Sequence, residues 1–251
     1  MFRLILSFLA VCTVATWADN TTPDIQARIK ALTPPAGQPA ATFPVPREDW
    51  MSRFIGNFDK LKQGPYELVF DGDSITDGWQ GAGAAVLKER YGNLKVLDVA
   101  ISGDQIQHVL WRVQHGDLEG QNPKLIMLLI GTNNIGQEPK DVAAGIKLLI
   151  SQYEMRCPDA HILLLGVFPR EHDANTPART WIKALNAIIS TYSSDPKVVY
   201  LDFGDKFLQP DGTLPPEIMP DFLHPSAKGY VIWADAIQPV IDKYFPKTPA
   251  K

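Results

Sequence analysis

The sequence predicts an α/β fold in which a five-stranded parallel sheet is covered by helices on both faces. Five short apolar segments alternate along the chain with segments of helical periodicity, which is the order that a parallel sheet requires. One of these segments, residues 124–130, is apolar almost throughout, as is typical of a strand buried on both faces. With 251 residues, of which 45% are apolar, the chain is long enough for one such domain.

The predicted elements run as one helix followed by alternating strands and helices. Large apolar residues recur from Trp50 to Leu61 at intervals of four, four and three, which predicts an amphipathic helix over residues 47–62. A Gly-Pro pair at positions 64 and 65 ends it. Strands are predicted for residues 67–71, 95–99, 124–130, 161–167 and 198–202. Further helices are predicted near residues 81–91, 106–116, 140–155, 178–193 and 226–244.

Two segments are predicted to precede the domain. Residues 1–18 have the pattern of a secretory signal peptide, with Arg3, an apolar run and small residues at the end. Residues 19–46 are rich in proline, threonine and alanine and are interpreted as a linker or a surface strap. Residues 47–251 then form one domain of a secreted or periplasmic protein without stable membrane insertion after cleavage. Retention of residues 1–18 as a membrane anchor stays open as the alternative.

The net charge and the cysteine content argue against a nucleic-acid partner and against a disulfide bond. A net charge of −4, from 24 basic and 28 acidic residues, is too mild to indicate nucleic-acid binding. Cys157 is the only cysteine beyond the predicted signal peptide, so no intramolecular disulfide is expected. An exported chain of this length can fold without a disulfide because its core is large.

Reactive side chains are predicted to gather at the carboxyl edge of the sheet, where α/β proteins place their sites. Asp71, Asp73 and Ser74 follow the first strand in a glycine-bearing turn. We expect Asp73 to accept hydrogen bonds within this turn. A serine hydroxyl is a weak nucleophile at neutral pH, so Ser74 would need a neighbouring base that is itself oriented by a third group.

Two of the five histidines follow strands at this edge and are the candidate bases. Asp221 stands three residues before His224, so in a tight turn its carboxylate can reach the imidazole Nδ1 and leave Nε2 free to accept the serine proton. His224 is therefore the favoured base. His172, after the fourth strand, stays open as its competitor.

An acyl-transfer site also needs hydrogen-bond donors for the charge that develops on the carbonyl oxygen. The candidate donors are the backbone N–H groups of Ser74 and Gly103 and the side-chain amide of Asn133. Glycine at position 103 allows the backbone to approach a substrate closely. Asn133 follows the buried third strand and supplies a neutral donor.

Four short motifs occur in the order and approximate spacing of the SGNH hydrolase family, also called the GDSL esterase/lipase family. They are Gly72-Asp73-Ser74-Ile75, Gly103, Gly131-Thr132-Asn133 and Asp221-x-x-His224. From about residue 66 to residue 244, the chain most resembles the branch that contains platelet-activating-factor acetylhydrolase catalytic subunits and bacterial carbohydrate acetylesterases.

The resemblance implies a flavodoxin-like three-layer α/β/α sandwich that needs no metal or cofactor. It implies Ser74 as the nucleophile, His224 as the general base and Asp221 as the group that orients it. Ser74, Gly103 and Asn133 would form the oxyanion hole. Candidates for the walls of the substrate pocket are Trp79, Asp104, His172 and Phe222.

The sequence thus favours a secreted serine esterase that removes short acyl groups, acetyl above all, from an O-acylated carbohydrate. A lysophospholipase or a lipid esterase resembling platelet-activating-factor acetylhydrolase is the main alternative. A metal-dependent phosphohydrolase, with Asp71 as nucleophile and Asp73 on Mg²⁺, stays open as a second one. A third is a glycan-binding module without catalytic activity.

Overall fold

A computed structural model describes residues 32–246, and a five-stranded parallel sheet forms its centre. The strands are β1 Leu68–Gly72, β2 Val96–Asp98, β3 Leu125–Leu129, β4 His161–Leu165 and β5 Val198–Leu201. They lie in the order β2-β1-β3-β4-β5 and all neighbours pair in parallel, which confirms the predicted sheet. Because β2 lies on one side of β1 and β3 on the other, the loops after these strands border a crevice at the carboxyl edge.

Helices flank the sheet on both sides. Those in residues 32–246 are α1 Met51–Leu61, α2 Ser74–Asp77, α3 Ala84–Tyr91, α4 Ile106–Gln114, α5 Pro139–Arg156, α6 Pro177–Ile189 and α7 Ala227–Tyr244. The sequence did not predict α2 because a single turn is too short to show helical periodicity. The predicted helix over residues 178–193 is α6 followed by a 3₁₀ segment, Ser190–Ser194.

Side chains of the strands point alternately into two separate cores. One core contains Val69 of β1 and Leu128 of β3 and is covered by α4, α5 and α6. The other contains Phe70 and Met127 from the same strands and is covered by α3 and α7. This alternation places a helical layer on each face and confirms the three-layer α/β/α sandwich.

The described part of the proline-rich segment, residues 32–46, packs on the domain as a strap. Ala41 is fully buried, and its N–H donates to the Gln137 side chain at 3.2 Å. Further along, the Val45 N–H donates to the Gln107 carbonyl oxygen at 3.2 Å. The predicted signal peptide and residues 19–31 lie outside the described residues. In residues 32–246 the structure contains no helix that is both long and apolar enough to cross a membrane.

Candidate active site

The turn after β1 presents Ser74 as the first residue of α2. Gly72 has φ +155°, and a Cβ there would overlap the Leu129 carbonyl oxygen of β3, so only glycine fits this turn. Asp73 caps α2, because its Oδ1 accepts the Ile75 N–H at 3.0 Å. Asp73 therefore supports the turn, as the sequence predicted, and the cap fixes the direction in which Ser74 leaves the strand.

Ser74, His224 and Asp221 lie in a continuous hydrogen-bonded chain, although the serine and the histidine are 150 residues apart. Ser74 Oγ is 2.8 Å from His224 Nε2, and His224 Nδ1 is 2.6 Å from Asp221 Oδ2. With the Nδ1 proton directed at the carboxylate, Nε2 is free to accept the proton of the serine hydroxyl. The structure thus brings together the three residues that the sequence selected for nucleophile, base and orienting acid.

The loop before α7 holds Asp221 in place through its own backbone. Asp221 Oδ1 accepts the Leu223 N–H at 3.1 Å and the His224 N–H at 2.8 Å. Partial burial acts to raise the pKa of the Asp221 carboxyl, but hydrogen bonds from His224 outweigh this and leave that pKa below its ordinary value. The carboxylate consequently stays charged and able to orient the imidazole at neutral pH.

Two of the expected oxyanion donors follow β2 and β3, next to the Ser74 turn. Gly103 has φ +81° in the turn between β2 and α4, and Asn133 lies in a 3₁₀ turn, Thr132–Asn134, directly after β3. Within residues 32–246, the N–H groups of Ser74 and Gly103 donate to no protein acceptor. Asn133 Nδ2 donates one proton to the Asp104 carbonyl oxygen at 2.9 Å, which leaves its second proton for another acceptor.

Ser74 and His224 open onto a cleft of about 470 Å³. Its lining combines polar side chains with small residues, a proline and a tyrosine: Ser74, Asp77, Gly78, Gln80, Gly81, Ala82, Ser102, His224, Pro225 and Tyr230. The Asp77 carboxylate accepts hydrogen bonds from Ser102 Oγ at 2.6 Å and from Arg53 at 2.7 Å. The cleft therefore offers fixed polar groups beside the serine and no long aliphatic side chain.

Two residues that the sequence placed in the pocket wall are buried elsewhere, and those predictions are wrong. Trp79 is fully buried and packs edge-on against Tyr230 and Trp233 beneath the cleft. Asp104 is fully buried as well, with its carboxylate 2.9 Å from Arg112 Nε. Neither side chain reaches the cleft, so neither can contact a substrate there.

His172 and Phe222 lie beside the loop that carries His224, but not in the cleft. The His172 ring bonds to the Asp173 carboxylate at 2.7 Å and packs edge-on against Phe222. His172 faces a separate depression that Ser74 does not border. Because Ser74 bonds to His224 instead, the competing assignment of His172 as the base is wrong. Neither His172 nor Phe222 lines the described cleft, so their contact with a substrate stays a prediction.

A buried charged cluster, which the sequence did not reveal, lies under the site. Arg112 of α4 is fully buried and donates to Asp71, Asp104 and Asp117. Asp71 also accepts the Tyr153 hydroxyl proton at 2.7 Å. Because Arg112 and Tyr153 both bond to its oxygens, the Asp71 carboxylate cannot act as a nucleophile. This excludes the hypothesis of a phosphohydrolase with Asp71 as its nucleophile. In residues 32–246, no three His, Cys, Asp or Glu side chains are placed to hold a metal ion.

The buried Asp73 carboxyl leads to a prediction about stability and pH. Burial raises its pKa to about 7 from the model-peptide value of 3.8. Between these values the folded chain holds a proton that the unfolded chain releases, so this group makes the free energy of unfolding fall as pH rises towards 7. Asp73→Asn keeps the Oδ1 cap but does not titrate. Between about pH 5 and about pH 8, we expect the free energy of unfolding of the variant to fall less than that of the unaltered protein. Urea unfolding at each pH measures both.

Asp59→Asn is the matched control for this measurement, because Asp59 is an exposed carboxylate paired with Lys62. The control should show the pH dependence of the unaltered protein. If the free energy of unfolding changed with pH equally in Asp73→Asn and in the unaltered protein, the raised pKa of Asp73 would be contradicted.

Comparison with known proteins gives a consistent set of similarities. A profile of the GDSL-like lipase/acylhydrolase family matches residues 70–232. Platelet-activating factor acetylhydrolase IB subunit alpha1 of Bos taurus is 34% identical over 200 residues, covering 76% of this chain and 84% of the relative. The alpha2 subunit of Gallus gallus is 30% identical over 216 residues, covering 86% and 93%.

Solved structures show the same fold at lower sequence identity. A GDSL-like lipase from Bacteroides thetaiotaomicron superposes with a TM-score of 0.62 at 20% identity, covering 76% of this chain and 97% of the other. An acetylxylan esterase from Geobacillus stearothermophilus superposes with a TM-score of 0.56 at 19% identity, covering 74% and 96%.

Proposed function

Because the chain belongs to the GDSL-like lipase/acylhydrolase family, we propose that it hydrolyses esters through Ser74, His224 and Asp221. The observation that carries the proposal is the unbroken chain of hydrogen bonds from the Ser74 hydroxyl through the His224 ring to the Asp221 carboxylate, opening on a cleft. A glycan-binding module without activity would not need a serine paired with a base in this way.

The proposed reaction passes through an acyl-enzyme. Ser74 Oγ attacks the ester carbonyl carbon while His224 Nε2 takes the hydroxyl proton. The carbonyl oxygen becomes an oxyanion, which the Ser74 and Gly103 N–H groups and the Asn133 amide stabilise. The intermediate then collapses, His224 gives its proton to the departing alcohol, and the acyl group stays on Ser74. A water molecule that loses a proton to His224 attacks the acyl-enzyme and releases the acid and the free serine.

We propose a short acyl group, acetyl above all, and a carbohydrate as the alcohol. The acyl size is supported by the relatives, which are named acetylhydrolases; the bovine alpha1 subunit is 34% identical to this chain over 200 aligned residues. The carbohydrate is supported by the cleft, where Asp77, Gln80 and Ser102 can bond to sugar hydroxyls. No leucine, isoleucine, valine, methionine or phenylalanine is among the described residues that line it.

A lipid ester is the second candidate, and the names of the same relatives favour it. They are called platelet-activating factor acetylhydrolases, and their similarity covers 76% of this chain. A long alkyl chain would need an extended apolar groove next to Ser74, whereas the described cleft wall contains no long aliphatic side chain. We therefore rank the lipid ester below the acetylated carbohydrate.

The proposed place of action is outside the cytoplasm, in the periplasm or the medium. The support is the signal-peptide pattern of residues 1–18 in the sequence. The mild net charge of −4 supports a small or neutral substrate over a nucleic acid. Acetylated glycans outside the cell would suit this location.

The test is a panel of substrates offered to the purified protein. We expect hydrolysis of p-nitrophenyl acetate to exceed that of the butyrate and to be far above that of the octanoate. We also expect acetate release from acetylated xylan or acetylated sialic acid to exceed release from an acetyl-phospholipid. The reverse order for the natural esters would make the protein a lipid esterase, and no hydrolysis of any ester would refute the proposed function.

A further inference from the structure

Arg47, the residue that follows the proline-rich strap, lies directly on the turn that carries Gly103. Its Nη1 donates to the Ser102 carbonyl oxygen at 3.1 Å and lies 3.4 Å from Asp104 Oδ1. A Cβ placed on Gly103 would stand 2.8 Å from the same nitrogen, so the guanidinium covers the α-carbon of this glycine. Asp49 holds the other side of the guanidinium through Nε and Nη2.

Asp104 links this turn to the second expected donor. Its side chain is fully buried between two guanidinium groups, with Oδ1 towards Arg47 and Oδ2 bonded to Arg112. Its carbonyl oxygen accepts the Asn133 Nδ2 proton at 2.9 Å. A displacement of Asp104 would therefore move both the Gly103 peptide, which precedes it in the chain, and the amide of Asn133.

The Asp104 carboxylate has two arginine partners, Arg47 and Arg112. Arg112 divides its charge among three carboxylates, because it also bonds to Asp71 and Asp117. Arg47 is the second cation within 4 Å of the Asp104 carboxylate in the described residues. A buried carboxylate that loses one of its cations is strongly destabilised and tends to shift or to take up a proton.

We propose that Arg47 is a positioning residue that holds Gly103 and Asn133 where they stabilise the oxyanion. The inference rests on the proposed esterase function and assigns a role to a residue between the strap and α1, outside the family match at residues 70–232. Arg47 acts through the Ser102–Asp104 turn and does not touch the substrate. It connects the chain segment before α1, which the sequence motifs left unexplained, to the rate of the chemical step.

The test compares the Arg47→Gln variant with the unaltered enzyme on p-nitrophenyl acetate. We expect kcat to fall between about 10- and 100-fold with little change in KM, because displaced donors act mainly on the transition state. An acetyl-type trifluoromethyl ketone, which forms a tetrahedral adduct with the serine, should lose affinity by the same factor. Arg47→Lys should recover part of the lost kcat and part of the lost inhibitor affinity. Lysine keeps the positive charge but lacks the planar guanidinium with its several N–H donors.

Arg90→Gln is the matched control, because Arg90 is also a partly exposed arginine in an ion pair, with Asp235, on α3 away from the cleft. It should keep the unaltered kcat and inhibitor affinity. An Arg47→Gln enzyme with full kcat would overturn the role of Arg47, and so would a loss of kcat without a matching loss of inhibitor affinity. An unaltered enzyme that hydrolyses no ester would instead refute the proposed function itself.

Discussion

Ser74→Ala is expected to lower kcat for p-nitrophenyl acetate by about 10⁵- to 10⁶-fold and to leave the melting temperature nearly unchanged. The alanine cannot form the acyl-enzyme, so only the uncatalysed attack of water on a bound ester remains. Substrate affinity should change little, because the cleft wall is otherwise intact. The measurement is steady-state hydrolysis together with thermal unfolding of the same samples.

Ser151→Ala is the control for this substitution. Ser151 is an exposed serine of α5 whose hydroxyl donates to the Lys147 carbonyl oxygen, and it does not line the cleft. It should keep full activity. If Ser74→Ala retained more than a small fraction of the unaltered rate, another group would have to be the nucleophile.

His224→Asn is expected to lower kcat to a similar extent, by about 10⁵- to 10⁶-fold. Asparagine is close in size but cannot accept the hydroxyl proton, so Ser74 would have to attack as a neutral hydroxyl. Adding Ser74→Ala to this variant should cost little further activity, because the two residues act as one unit. A multiplicative loss in the double variant would show that they act independently.

His172→Asn is the control for the histidine, since the sequence offered His172 as the competing base. Its ring bonds to Asp173 and borders a different depression, so kcat should stay within about threefold of the unaltered value. A large loss in His172→Asn with a small loss in His224→Asn would reverse the assignment of the base.

The sequence was sufficient to predict where the reactive residues meet. Parallel strands bring their carboxyl ends to one edge, so Ser74, Gly103 and Asn133 could be expected together from their positions after three strands. The tight Asp-x-x-His spacing could place Asp221 on the imidazole of His224 without any knowledge of the fold. The five strands were likewise predictable, because each is an apolar run between polar turns.

The pocket walls could not be predicted, because a short turn does not show in its sequence which way each side chain points. Trp79 follows α2 by two residues and turns inward onto Tyr230, whereas Gln80 next to it borders the cleft. An aromatic residue near a site is as easily a core residue as a substrate contact. Only the packing of α7 against this turn decides between the two.

One residue, Arg112, could have indicated the buried charged cluster from the sequence. Arg112 lies on the same face of α4 as Val109, three residues earlier, and so at a position that helical periodicity assigns to the core. A charged residue there requires buried partners of opposite charge. The sequence does not show which aspartates pair with Arg112, because Asp71 and Asp117 lie in different parts of the chain.

Covalent labelling with a fluorophosphonate tests most directly whether Ser74 is the nucleophile of this esterase. The probe reacts with a serine that a neighbouring base has activated. We expect one label per chain, on the peptide that contains Ser74, with loss of ester hydrolysis in proportion to labelling and no labelling of Ser74→Ala. A fully labelled enzyme that still hydrolyses p-nitrophenyl acetate, or a label on any residue other than Ser74, would contradict the role of Ser74 as the nucleophile.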